Sequence, residues 1–121
     1  MSRPVHFDFP ADDPERAVKF YSSAFGWKFD KWSGPFDYWV ISTGADSERG
    51  IDGGMSPRSA GATSSITISV TSIDDSLKKI SDAGGTIVRP KGPIQGVGWF
   101  ATCKDTEGNE FGVMQSDQSA K

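Results

Sequence analysis

"PVHFDFPADDPERAVKFYSSAFGW", residues 4–27, and "SITISVTSIDDSLKKISDAGG", residues 65–85, carry one pattern twice. In the first stretch Val5, Phe7 and Phe9 alternate with His6 and Asp8, the period of a strand with one apolar and one polar face. Asp12 and Asp13 then offer capping oxygens, Pro14 suits the first helical position, and Glu15 complements the positive end of the helix dipole. Ala17, Phe20, Tyr21 and Ala24 recur at spacings of three and four, and Gly26 stops the run, which predicts a helix over 14–25. The apolar side of the strand should turn toward that helix, leaving His6 and Asp8 on the opposite face. In the second stretch Ile66, Ile68 and Val70 alternate with Ser65, Thr67 and Ser69. Ser72 and Asp75 form a capping box, and Ile73, Leu77 and Ile80 make the next helical stripe. Gly85 follows Gly26 by 59 positions, and the same offset carries His6 onto Ser65.

Strand-like runs complete each half. They are 28–32, 37–43 and 50–55 in the first, and 85–90, 98–103 and 109–115 in the second, separated by Gly-, Pro- and Ser-rich turns. The chain therefore reads as an α+β protein, one domain over 1–121 made of two tandem βαβββ modules, about 4–56 and 64–116. The segment 57–63, rich in Ser, Gly and Ala, reads as the linker, and the tail "SDQSAK" is expected to fray.

Composition excludes several classes. A formal charge of -3, with Lys and Arg scattered along the chain, leaves no basic field for a phosphate backbone, so nucleic acid is not an expected partner. No apolar run approaches the roughly 18 residues that span a bilayer, and the N-terminal residues do not read as a signal peptide, so no membrane partner and a cytoplasmic location are expected. The single cysteine, Cys103, can form no internal disulfide and lies in no zinc motif. "GIDGGM", 50–55, lacks the lysine and the following capped helix of a phosphate-binding loop.

The paired βαβββ order, "DDPERAVKFYSSAFGW" and "DTEGNEFGVMQ" together resemble the vicinal oxygen chelate superfamily, which includes glyoxalase I, extradiol dioxygenases and bleomycin-resistance proteins. The likeness covers about residues 4–115. It implies two modules forming a curved mixed sheet around a cavity, with the helices outside. It also implies a metal site in the metal-using members, with one ligand on the first strand and one on the last strand of each module. Carried over residue by residue, these positions fall at His6 and Gly53 in the first module and at Ser65 and Gly112 in the second. Three of the four hold Ser or Gly.

Divalent ions need several N or O donors converging at about 2.0–2.3 Å, and one imidazole cannot provide them. No metal or other cofactor is therefore expected. A shifted set of His6, Asp8 and Glu110 is the alternative, as a metal or acid/base site of a glyoxalase-type lyase or isomerase acting on a small metabolite. Extradiol chemistry calls for two histidines and a carboxylate, and this chain has one histidine. The first expectation is a metal-independent small-molecule binder of the glyoxalase/bleomycin-resistance kind. Its expected ligand-binding residues are His6, Asp8, Ser65, Thr67, Gln95 and Trp99. Gln95 and Trp99 lie in "PKGPIQGVGWF", 90–100, expected to shape a cavity rim. The middle-strand aromatics Tyr38, Trp39, Trp99 and Phe100 divide between core and cavity. "GWKFDKW", 26–32, reads as an exposed edge that a homodimer would cover.

Overall fold

The computed structural model describes residues 2–59 and 61–121. Met1, within the expected domain, and Ala60, within the expected linker, lie outside the described residues. The first module comprises β1 (Arg3–Ala11), α1 (Pro14–Phe25), β2 (Lys28–Lys31), β3 (Trp39–Ser42) and β4 (Asp52–Pro57). The second comprises β5 (Ser65–Ser69), α2 (Ile73–Asp82), β6 (Thr86–Ile94), β7 (Gly98–Lys104) and β8 (Glu110–Ser116). The fold is α+β, and both modules follow the βαβββ order. The chain divides into two compact units: His6–Ser64, and Ser65–Lys121 with the first residues of β1 up to Val5.

Strand order is β2-β3-β4-β1 in the first module and β5-β8-β7-β6 in the second. First and last strands pair in parallel, β1 with β4 and β5 with β8, while the other pairs are antiparallel. The sheet is thus mixed and open. A parallel pair needs a long crossover, and the intervening helix and two strands supply it. As expected from "GWKFDKW", β2 lies at an edge.

Local chemistry starts and stops the helices as the sequence predicts. Asp13 caps α1 by accepting the Arg16 amide at 3.2 Å, and Gly26, at φ 73, closes it in the left-handed conformation that favours glycine. Ser72 caps α2 by accepting the Asp75 amide at 3.2 Å. Ile73, Leu77 and Ile80 pack with Val70, Ala101, Cys103 and Val113. Full burial of side chains such as Ile73 is worth about 1.5–3 kcal/mol each.

The face of α1 differs from expectation. Ala17 and Val18 pack on Phe7, Phe9, Ile41 and Met55, whereas Phe20 is 59% exposed and Ala24 is also exposed. Tyr21 explains the rotation. Its ring stacks on Trp27 at 5.0 Å and on Phe9 at 5.1 Å, and this fixes which side of α1 meets the sheet.

The C-terminal tail is not frayed. The Asp117 amide donates to the Val97 carbonyl at 2.9 Å, the Gly96 amide donates to the Ala120 carbonyl at 3.1 Å, and Ala120 is buried. The Trp99 indole N–H donates to Asp117 Oδ2 at 3.0 Å. These bonds hold the tail against the β6–β7 hairpin.

Candidate functional site

Alternation along β1 sends Phe7, Phe9 and Ala11 toward α1 and leaves His6 and Asp8 on the open face. There they meet Tyr38, just ahead of β3. Tyr38 Oη donates to Asp8 Oδ1 at 2.7 Å and lies 3.2 Å from His6 Nε2, which is 3.3 Å from Asp8 Oδ2. Two side chains of β1 and one from just ahead of β3 thus meet in a single polar cluster. The imidazole and the carboxylate are about one-third exposed, at 33% and 37%, so a ligand can reach both. Burial, then the charge and hydrogen bond of Asp8, pushes the Tyr38 phenol well above the ordinary tyrosine range. The phenol stays protonated and acts as a donor, and Asp8 stays an acceptor.

Glycine makes room for this cluster. A Cβ built at Gly54 would overlap the Tyr38 hydroxyl and press on Asp8 Oδ1 at 2.7 Å, so Gly54 shares the face of His6 and Asp8. A Cβ at Gly53 would instead strike the Phe7 ring and carbonyl. The last-strand position on the open face of the first module is therefore Gly54, one residue beyond the 59-residue offset. Strand register agrees: Asp8 pairs with Gly54 and Thr67 with Gly112. A fixed offset fails in this strand because the connections ahead of it differ in length, and a shift of one residue changes the face.

The second module repeats the arrangement without the polar cluster. A Cβ at Gly112 would overlap the Phe100 ring and approach Thr67 Oγ1 at 3.2 Å. Thr67, Gly112 and Phe100 thus share the open face, Thr67 buried and Ser65 half-buried. Trp99 does not join them. It packs on the helix-side core and donates to Asp117, because alternation gives the open face to its neighbour Phe100. Trp39 likewise packs with the α1 core. Gln95 is exposed in the β6–β7 turn.

Glu110 opens β8, is exposed, and belongs to the other compact unit from His6 and Asp8. Among the described residues no three His, Cys, Asp or Glu side chains gather to hold a metal ion. His6 and Asp8 give one imidazole and one carboxylate, and Gly54 stands where a further last-strand donor would be needed. These residues do not fit a divalent ion. Cys103 is fully buried, and burial raises its thiol pKa, which suits a core side chain rather than a nucleophile.

A groove of about 530 Å³ lies on the helix side of the first module, lined by Phe9, Asp12, Asp13, Arg16, Phe20 and Arg58 among others. Three of its charged groups serve the fold: Asp13 caps α1, and Arg58 binds Asp12 at 2.8 Å and the Ala62 carbonyl at 3.2 Å. The polar cluster of His6, Asp8 and Tyr38 is on the other face.

Sequence reading placed Tyr38 among the aromatics that divide between core and cavity without assigning its face, and it gave Gly54 no part in the site. A signal existed, since Trp39 and Ile41 belong to the apolar face and strand alternation then assigns Tyr38 and Val40 to the open one.

Paired βαβββ modules with first and last strands side by side, each open face built around a residue of those two strands, define the vicinal oxygen chelate class of fold. The chain belongs to the Glyoxalase/Bleomycin resistance protein/Dioxygenase superfamily, which it matches over residues 3–113. Comparison with curated proteins finds no match. Among solved structures, hypothetical protein BH1468 from Bacillus halodurans C-125 is similar at TM-score 0.72 and 15% identity, with 99% of this chain and 98% of that chain covered. A methylmalonyl-CoA epimerase in complex with methylmalonyl-CoA and NH4+ is similar at TM-score 0.71 and 15% identity, covering 100% and 99%. A Streptomyces coelicolor methylmalonyl-CoA epimerase in complex with 2-nitronate-propionyl-CoA is similar at TM-score 0.70 and 15% identity, covering 98% and 97%. At such identities the likeness establishes the fold alone.

Proposed function

We propose that this chain is a glyoxalase/bleomycin-resistance-type protein that binds a small molecule without a divalent metal, on the open face of its first module. One observation carries the reading: Gly54 stands where a last-strand donor would be needed, and the space above it is filled by the Tyr38 phenol, which bonds Asp8 and meets His6. The exposed edges of the imidazole and carboxylate then supply one or two polar contacts to a ligand, worth roughly 1–3 kcal/mol together. Ser65 and Thr67 are assigned ligand contacts on the open face of the second module, and Gln95 a contact from its turn. We further propose that the protein works as a single two-module domain, as a cytoplasmic homodimer covering the β2 edge.

The test is native mass spectrometry of the purified protein for retained small molecules, with elemental analysis of the same sample. Melts of wild type and His6→Ala with the retained compound follow. A ligand-induced rise in Tm that His6→Ala removes, while the apo Tm holds, supports the reading. About one tightly held transition metal per chain would sink its metal-free part, and light scattering at the monomer mass would remove the dimer.

A second reading, a lyase or isomerase, rests on the pairing of an imidazole with a carboxylate and on the likeness to methylmalonyl-CoA epimerases. Here Asp8 or His6 would move a proton at an acidic carbon. Exchange of the acidic carbon-bound hydrogen of methylmalonyl-CoA in D2O, abolished by Asp8→Asn, would promote this reading over simple binding.

A further inference from the structure

The hairpin that delivers Tyr38 also carries two exposed rings. Trp32 is 42% exposed and Phe36 62% exposed, with ring centroids 4.8 Å apart. Each meets the Tyr38 ring edge-on at 6.5 Å, so the aromatic surface is continuous with the polar cluster of His6, Asp8 and Tyr38. Adjacent large rings left in water beside polar groups mark a recognition surface more often than a packing need. The indole is also held in place. A Cβ at Gly34 would overlap the Trp32 ring, so glycine lets the indole lie flat on the backbone of its own loop, and the Trp32 amide donates to the Tyr38 carbonyl at 2.7 Å. A fixed ring loses little freedom on binding.

Charge sets the polarity of the occupant. Lys31, the cation nearest the rings on this hairpin, pairs with Asp37 at 3.4 Å and lies 5.3 Å from the centre of the Trp39 ring, while Lys28 stands at the other end of β2, opposite Ser42. The Tyr38 phenol remains neutral, and the partly exposed Asp8 carboxylate, which takes the phenol on Oδ1 and has His6 Nε2 3.3 Å from Oδ2, is the acceptor beside the rings. Aromatic faces next to a carboxylate favour a ligand that is both flat and positively charged.

We infer that the ligand of the first module is an aromatic amine, its ring lying on Trp32 and Phe36 and its ammonium or amine N–H groups turned to Asp8. The inference rests on the binding role proposed above and adds the ligand class.

Calorimetric titration with three probes tests it: tryptamine, indole-3-acetate, which keeps the ring and reverses the charge, and cyclohexylamine, which keeps the charge and removes the aromatic ring. Tryptamine should bind at least tenfold tighter than either. Trp32→Ala and Phe36→Ala should each weaken it about tenfold with little change in Tm, and the highly exposed Phe36 serves as the control against misfolding. Asp8→Asn should erase the preference over indole-3-acetate. Equal binding of indole-3-acetate or cyclohexylamine, or tryptamine binding untouched by all three substitutions, would overturn the assignment. If no probe binds while mass spectrometry still finds a retained compound lost in His6→Ala, the aromatic-amine class falls and the binding site stands. If that compound is absent as well, both fall.

Discussion

The open faces of the two modules share a backbone plan and differ in the side chains set on it: His6, Asp8 and Tyr38 in the first, Ser65, Thr67 and Phe100 in the second. In each, a glycine on the last strand lies beneath an aromatic ring: Tyr38, just ahead of β3, over Gly54, and Phe100, on β7, over Gly112. The geometry is the same, for Gly54 pairs with Val40 and Gly112 with Thr102, so the ring comes from two positions before the partner. Tyr38 then bonds Asp8 and meets His6, whereas Phe100 has no hydroxyl and the matching strand offers Ser65 and Thr67. The glycines are therefore seats for aromatic rings, and the phenol turns one seat into a polar site.

Substitutions at the seats should have the largest effect. Gly54→Ala and Gly112→Ala each force a ring aside, at about 1–3 kcal/mol in urea unfolding. Only Gly54→Ala should also abolish the ligand-induced Tm shift, because only there does the displaced ring carry the hydroxyl. In a Tyr38→Ala background most of the cost of Gly54→Ala should vanish; a full penalty there would break the seat argument.

Removing the hydroxyl alone should matter less. Tyr38→Phe should cost about 1–2 kcal/mol, the worth of a hydrogen bond to a partly exposed carboxylate, without disturbing the second module. Backbone amide exchange in β5 and β8 checks that separation.

Alkaline pH sharpens the comparison further. The folded phenol keeps its proton above the ordinary tyrosine value of about 10, while the unfolded chain loses it. Stability contributed by Tyr38 is thus fully present below about pH 10 and declines as pH rises beyond it. Wild type should lose more stability than Tyr38→Phe between neutral pH and pH 11, and parallel curves would refute the shift.

The smallest effect belongs to the second module's turn. Asp105 accepts the Glu107 and Asn109 amides at 2.8 and 2.9 Å, and the Asn109 bonds, backbone first, hold its pKa below the usual aspartate range. That contribution is present above about pH 3.9 and is lost as pH falls through the lowered value. Asp105→Ala should speed exchange of those two amides and flatten the acid limb slightly, leaving ligand binding unchanged.

Much of this plan was legible from residue order. Caps at Asp13 and Ser72, the stop at Gly26, and alternation in β1 and β5 are local, depending on neighbours within a few positions, and each lies where the pattern put it. Gly53, Phe20, Trp99 and the tail were harder because each depends on a contact outside its own strand or helix. Gly53 yields to Gly54 through pairing with β1, Phe20 turns outward because Tyr21 stacks on Trp27, and Trp99 and the tail are fixed by Asp117.

Sequence by itself determined two βαβββ modules, their helices and the open-face placement of His6, Asp8, Ser65 and Thr67, because strand and helix periods are properties of short segments. Tertiary structure alone decided that Tyr38 would join His6 and Asp8 and that Gly54 would make room for it. His6 and Asp8 come from β1, Gly54 from β4 and Tyr38 from just ahead of β3, 30 positions from Asp8, and only strand register brings them together.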